Sequence, residues 1–335
     1  MTDSTPLSPE MEAIWKDELS PFLSEREERR KKAVNELVFG IVGGVGLGVV
    51  ALVVLSMMFA PQFGFFALVG LSVLGGALGS KKLNALRKEI KLGLLSQLAS
   101  ASGMRYALKP AAPARFNVFR EHGLIPSSQR ENFEDHFMGE RHGSVFELYE
   151  AKLEQRRRTN KRTTWVTVFR GLLIRVEFPR TVEGVTVITR DAGFFNALEG
   201  WGRKTFGGQK LERVGLVDPK FEKIFEVYST DQVMSRYLLT PTFMERLLAL
   251  ETAVKGKKVR AAFDERQGGG ELLIAVETGN LFEPGSLFKP LDDEVRVRTL
   301  LGEIEMVTGM LDLMVRPPEL GENVLANQAS GAPVK

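Results

Sequence analysis

Three side-chain groups have residue types and spacing that could do chemistry. The chain's only histidines are His122, His136 and His142. Asp135, His136, Glu140 and His142 lie close enough in sequence to gather round a divalent cation. Their spacing matches no helical His-Glu-x-x-His arrangement, and no motif supplies residues to orient such ligands. Exposed loop residues are therefore expected there, with no metal and no cofactor. The second group lies in Phe225–Pro241, FEVYSTDQVMSRYLLTP. A strand ends, Asp231 can cap a helical turn, and Thr240-Pro241 opens the next helix. Asp231 and Arg236 carry opposite charges at a spacing that allows a pair. Asp231, Arg236, Tyr237 and Thr240 form a candidate corner, either architectural or a ligand site. If the chain is an enzyme, its site is expected near Asp231, Arg236 and Tyr237.

The third group is basic. Lys152, Arg156, Arg157, Arg158, Lys161 and Arg162 crowd the join between two strand-like segments. The bland reading is a solvated hairpin tip. The functional reading makes Arg156, Arg157, Arg158, Lys161 and Arg162 candidate contacts for anionic lipid headgroups. Near such a surface each basic group contributes about 1 kcal/mol. Trp165 beside the cluster would add an interfacial ring. Nucleophile-elbow, phosphate-loop and kinase-type signatures are missing. Without cysteine there is no thiol nucleophile, Cys-ligated metal or disulfide. No catalytic residue is assigned.

The elements that must hold these groups begin with an apolar run. Leu37 to Ser80 is 44 residues without a charge, which Pro61-Gln62 divides into 37–60 and 63–80. As helices these segments measure roughly 36 and 27 Å, against a hydrocarbon core of about 30 Å. A transmembrane hairpin is expected. Arg26, Arg29, Arg30, Lys31 and Lys32 precede it, and Lys81, Lys82, Arg87, Lys88 and Lys91 follow it. Basic flanks stay on the cytoplasmic side, so both termini and the main domain are expected there, with the lipid bilayer as first partner. Gly40, Gly44 and Gly48 recur every fourth residue. They serve either packing of the two spans on each other or self-association of copies. Neither span carries an ionisable residue, which disfavours a conduction path.

Outside the spans, residues 1–36 hold 9 acids and 6 bases, and residues 81–335 hold 33 acids and 39 bases. The mild excess of the larger part suits a neighbour of anionic lipid. It is too small to indicate nucleic acid, and no nucleic-acid motif appears. N-terminal helices are expected over 1–36: one from 9 to 19, and a second that Ser20-Pro21 starts and that runs into the first span. A helical stalk is expected over 81–104. An α+β domain over 105–318 follows, with a mainly antiparallel sheet, and 319–335 reads as a disordered tail. Strands are expected at 145–153, 164–178, 184–189, 211–217 and 221–228, and in a hairpin of 259–263 with 272–276. Val166, Val168, Leu172, Ile174, Val176 and Phe178 share one phase of theirs. Helices are expected at 115–122, from Thr240 to Gly256, and over 292–315.

One pattern is familiar. Val227, Tyr228, Asp231, Arg236, Tyr237, Leu239, Thr240 and Pro241 fit V-Y-x-x-D-x-x-x-x-R-Y-x-L-T-P. This resembles the bacterial membrane protein family catalogued as domain of unknown function 3137. Val168-Phe169-Arg170-Gly171-Leu172 is similar to that family's F-K/R-G-L/F strand. Phe137-Met138-Gly139, after Asp135, is similar to its glycine-bearing turn. The resemblance covers about 81–315. It implies a two-span hairpin, a stalk and an α+β domain, a bacterial inner-membrane location and a partner of the LemA type. It implies no activity, so no catalytic residue carries over. Where the family often has Glu-Ala before the Arg-Tyr pair, this chain has Met234-Ser235; a function resting on that carboxylate would be absent. The expectation is a membrane-tethered cytoplasmic binding or scaffold module.

Overall fold

A computed structural model describes residues 13, 15–159, 162–178, 181–190, 205–206, 209–254, 258–266 and 269–315. Contacts divide the chain into two units. One comprises residues up to Ala101 with Phe282–Ile304, the other Ser102–Leu281 with the chain from Glu305 on.

The first unit is built on two long helices, α1 (Ser20–Met58) and α2 (Pro61–Ala101). Both are long and apolar enough to cross a membrane. A π-helical turn, Trp15–Leu19, leads straight into α1. Ser20-Pro21 opens α1 as expected, but Leu19 before it is itself helical and no side chain caps the start. The reversal falls at Phe59 and Ala60, with Pro61 opening α2. A first helical turn suits proline, which has no amide hydrogen to leave unbonded.

Missing side chains set how closely α1 and α2 approach. A Cβ on Gly75 would lie 2.1 Å from the Gly40 carbonyl oxygen, and one on Gly44 would lie 2.5 Å from that of Leu71. A Cβ on Gly48 would lie 2.8 Å from the Leu68 side chain. Gly40, Gly44 and Gly48 are therefore occupied in packing within the chain. Beyond the apolar run the helices are joined by charge. Arg29 grips Glu89 with two bonds, 2.7 and 2.8 Å, and Lys82 reaches Glu36 at 2.8 Å. The returning segment is tied to the same helices: Arg30 donates to the Leu287 carbonyl at 2.9 Å, and Glu27 accepts from the Leu291 amide at 3.1 Å.

The second unit holds a nine-stranded sheet. Its strands are β1 (Met104–Ala107), β2 (Arg130–Arg141), β3 (Ser144–Thr159), β4 (Arg162–Phe178), β5 (Val185–Thr189), β8 (Glu212–Val214), β9 (Glu226–Ser229), β10 (Val259–Arg266) and β11 (Gly269–Val276). The order is β1-β2-β3-β4-β11-β10-β5-β9-β8, and every pairing is antiparallel. Among the described residues, β6 (Thr205–Phe206) and β7 (Gln209–Lys210) pair with each other in a separate two-stranded sheet. The α+β class with an antiparallel sheet is as the strand pattern implies.

Alternation along the strands gives the sheet two apolar faces. On one, Tyr149, Ala151, Leu153, Leu173, Val187, Ala262, Leu273 and Ala275 pack with Phe116 and Phe119 of α3 (Phe116–Glu121). On the other, Phe263 meets Phe178 at 4.9 Å and Phe243 of α6 (Pro241–Ala253) at 5.1 Å. Val168 joins the first of these faces, against the expected common phase with Leu172. The register shifts where Leu153 opposes Phe169 and Glu154 opposes Thr167, so one residue of β4 is extra there. Two expected strands also change. Phe221 lies in a short helix, α4 (Pro219–Glu222), and only 226–229 of the expected 221–228 strand forms β9. The expected 211–217 strand shortens to β8. The chain ends its described part in α7 (Glu294–Val315). The 319–335 tail, the start of the expected 9–19 helix and Gly256 lie outside the described residues.

Candidate functional site

The corner folds as its capping residues dictate. Asp231 Oδ1 accepts from the amides of Val233 and Met234 at 2.7 and 2.9 Å, starting α5 (Gln232–Leu238). Thr240 Oγ1 accepts from the Phe243 amide at 3.3 Å and starts α6. Arg236 does not pair with Asp231. It reaches back one turn, donating to the Gln232 carbonyl at 3.2 Å. Tyr228 is buried and bonds Glu226 at 3.2 Å, and burial pushes its phenol up to about 12. Tyr237 is 54% exposed, and Val233 one turn before it is exposed as well. The motif thus contains two capped helix starts and an outward face carrying Val233, Arg236 and Tyr237.

Asp231 also lines a cavity of about 590 Å³ with Arg115, His122, Glu183 and Asp264. Arg115 Nη2 bonds Asp264 at 2.8 Å, and His122 Nε2 stands 3.2 Å from the same carboxylate. Arg236 and Tyr237 do not line this space, so the structure does not bring the three expected residues to one point.

Three of the residues expected in an exposed loop, Asp135, His136 and Glu140, lie instead on β2, where Asp135 and His136 are buried; His142 does sit exposed in the turn to β3. Each faces a different partner. Asp135 accepts from Tyr106 Oη at 2.7 Å, His136 faces Glu147 at 3.4 Å, and His142 faces Asp312 at 3.3 Å. Among the described residues no group of His, Asp and Glu gathers as a metal site would require. The supposed glycine turn is also strand: Gly139 opposes Met104 and Phe146, and a Cβ there would press on the Phe146 ring at 3.1 Å.

Sequence reasoning missed the buried charges between the strands. Glu150 Oε2 accepts from the Leu281 amide at 2.9 Å, and Oε1 faces Arg170 Nε at 3.3 Å. Burial, reinforced by the Asp135 charge, pushes the Glu150 carboxyl up to about 7. Gly171 beside Arg170 admits the β11 backbone, since a Cβ there would fall 2.0 Å from the Val276 oxygen. On the opposite face, buried Arg175 donates to the fully buried Glu271 at 3.1 Å, and Arg115 bonds the same carboxylate. A charge at position 175 inside the apolar run LLIRVEF was the available signal.

The basic group sits on a projecting arm. β2 pairs with β3 only as far as Arg130 opposite Glu154, and β11 pairs with β4 no nearer the tip than Leu172. Beyond those points no third strand among the described residues pairs with β3 or β4. Arg156, Arg157, Arg158 and Arg162 are exposed, and among the described residues none bonds an acidic side chain. Lys161 lies outside the described residues.

Comparison with known proteins completes the site. Residues 167–315 match the model of the family described as Protein of unknown function (DUF3137). This is the family that the corner motif and the Phe169-Arg170-Gly171-Leu172 strand resemble. The matched stretch begins on the arm and includes Arg170, the corner and α7. No curated protein matches the chain. A solved structure described as the crystal structure of the mycobacterial trehalose monomycolate transport factor A, TtfA, is similar at 12% identity and a TM-score of 0.30. The similarity covers 67% of this chain and 96% of that one.

Proposed function

We propose that this DUF3137-matching chain is a membrane-tethered binding module. Its two apolar helices would cross a bacterial inner membrane as a hairpin, with both termini and the α+β unit on the cytoplasmic side. One observation carries the reading: within residues 37–80, large apolar side chains of α1 and α2 are turned outward. Phe39 is 74% exposed and Met57 83%, with Val42, Leu47, Val50, Phe66 and Val73 exposed alongside them. A continuous apolar surface of that extent requires a cover, and both helices have the length a bilayer demands. The basic flanks support the orientation, although Glu89 and Glu36 neutralise part of them. A binding role is favoured by α5, whose exposed Val233 and Tyr237 form a recognition face for a protein partner, with a LemA-type membrane protein as the first to test. Alkaline carbonate extraction tests the tether. The chain should stay in the membrane pellet, and its release without detergent would overturn the reading. Tags at both termini should be reached by protease only after the membrane is opened.

A second reading, a small-molecule site, rests on the cavity beside Asp231. Arg115, His122 and Asp264 converge on its wall. A ligand there should raise the thermal midpoint of the wild-type chain and lose that effect in Asp264→Asn.

A further inference from the structure

We propose that the β3–β4 arm is a docking surface for anionic phospholipid headgroups, centred on an arginine fan around Trp165. The inference rests on the membrane reading for its choice of ligand. The register decides which side chains act together. Directly opposed residues of an antiparallel pair share a face, as do residues two apart on one strand. Arg156 opposes Trp165 and Arg158 opposes Thr163, so Arg156, Arg158 and Trp165 lie on one face of the arm. Arg130, at the end of β2, completes the group by stacking its guanidinium 4.2 Å from the centre of the Trp165 ring. Arg157 and Arg162 fall on the opposite face.

A two-stranded ribbon is marginal alone in water, but the base of this one is fastened. Gln155 donates to the Ser127 carbonyl at 2.7 Å, and the Arg156 amide donates to Gln129 at 2.9 Å. Arg130 also faces Glu154 at 3.5 Å, which holds the guanidinium over the indole. The indole is 39% exposed. Three arginines therefore share one face with a half-exposed ring, and one of them, Arg130, is stacked on it. Planar guanidiniums with spare donors suit phosphate oxygens. An indole with one exposed side suits the boundary between headgroup and acyl chain. A nucleic acid is the less favoured ligand, because stacking needs an open ring face and Arg130 already covers one side.

The test uses the full chain with Trp15→Phe and Trp201→Phe, so that Trp165 is the only indole. The protein is placed in phosphatidylcholine nanodiscs and mixed with vesicles whose lipids carry brominated acyl chains, which quench indole emission on contact. The vesicles are of phosphatidylcholine alone or of an equimolar mixture with phosphatidylglycerol. Trp165 should be quenched by the phosphatidylglycerol vesicles only, and added salt should weaken the effect. Arg156→Gln and Arg158→Gln should each lower vesicle affinity about fivefold, and Lys220→Gln, at an exposed cation on α4, should leave it unchanged. The proposal is overturned by unquenched Trp165 with phosphatidylglycerol, by equal quenching with both vesicles, or by an unaltered response in the double glutamine variant. A short RNA that shifts Trp165 emission where vesicles do not would also overturn it. Failure of the tether reads separately, since the chain would then not enter the nanodiscs. The same vesicles would still report on the arm of the free chain.

Discussion

Arg170 Nε lies 3.3 Å from Glu150 Oε1, yet the carboxyl it faces titrates at about 7. Burial, reinforced by the nearby Asp135 charge, outweighs both the bond to the Leu281 amide and the pull of Arg170. The pair is therefore no simple stabilising ion pair. A carboxyl whose folded pKa is raised binds more protons in the folded chain than in the unfolded one. Its contribution is full below its unfolded value, near 4.5, and is lost as pH rises through about 7. The shift corresponds to about 3 kcal/mol. Unfolding of the full chain in detergent at pH 5 and pH 8 should show this loss in the wild type. Glu150→Gln, which cannot ionise, should narrow the gap between the two pH values by most of that amount. Parallel pH profiles would show that Glu150 does not titrate in this range.

Arg175 answers a different electrostatic demand. It is buried among Glu271, Glu177 and Glu147, at 3.1, 3.2 and 3.5 Å. Removing one partner of a buried ion pair strands the other charge and costs about 3–5 kcal/mol. Arg175→Met should lower the thermal midpoint steeply or prevent folding. Arg175→Lys keeps the charge without the planar fork and should fall between them. A wild-type melting curve for the methionine variant would refute this.

How much of this was legible depended on whether neighbouring residues or distant strands set the outcome. The two long apolar helices showed in 44 uncharged residues, and the corner caps showed because Asp231 and Thr240 act within three positions of themselves. β2 was not legible, for a physical reason. Asp135 sits at φ +54 and the register shifts between Glu134 and Phe137, so the apolar alternation changes phase in mid-strand. The helix at 219–222 left a signal that was misread. Asp218-Pro219 is a cap and first turn, and Phe221 and Phe225, four apart, have ring centres 5.0 Å apart. The buried Glu150, Arg170, Arg175 and Glu271 could not be paired from sequence, because their partners lie on other strands.

The corner predicts a contrast between neighbours. Asp231 satisfies two amides at the start of α5, and loss of such a cap costs about 1 kcal/mol. Asp231→Ala should destabilise by that amount, while Asp231→Asn keeps an acceptor and should cost less. Arg236 is exposed and, among the described residues, bonds back to Gln232 alone, so Arg236→Ala should change stability by less than about 0.5 kcal/mol. Thermal unfolding of the three variants checks this. Equal losses for Asp231→Ala and Arg236→Ala would point to an ion pair after all.

The α1–α2 contact makes the last prediction, because it separates glycines that look alike in sequence. A Cβ on Gly75 would lie 2.1 Å from a backbone oxygen of the other helix, which no rotamer change can relieve. Gly43 has nothing within 4 Å. With no native cysteine, engineered pairs report distance without background. Ile41→Cys with Gly76→Cys joins positions where a Gly76 Cβ lies 3.7 Å from Ile41 Cγ1. Oxidation should form that disulfide in the otherwise native chain and in Gly43→Ala. Gly75→Val should block it, since small residues are what let helix backbones approach in lipid. Efficient crosslinking in Gly75→Val would mean the helices do not meet along the Gly40–Gly75 line.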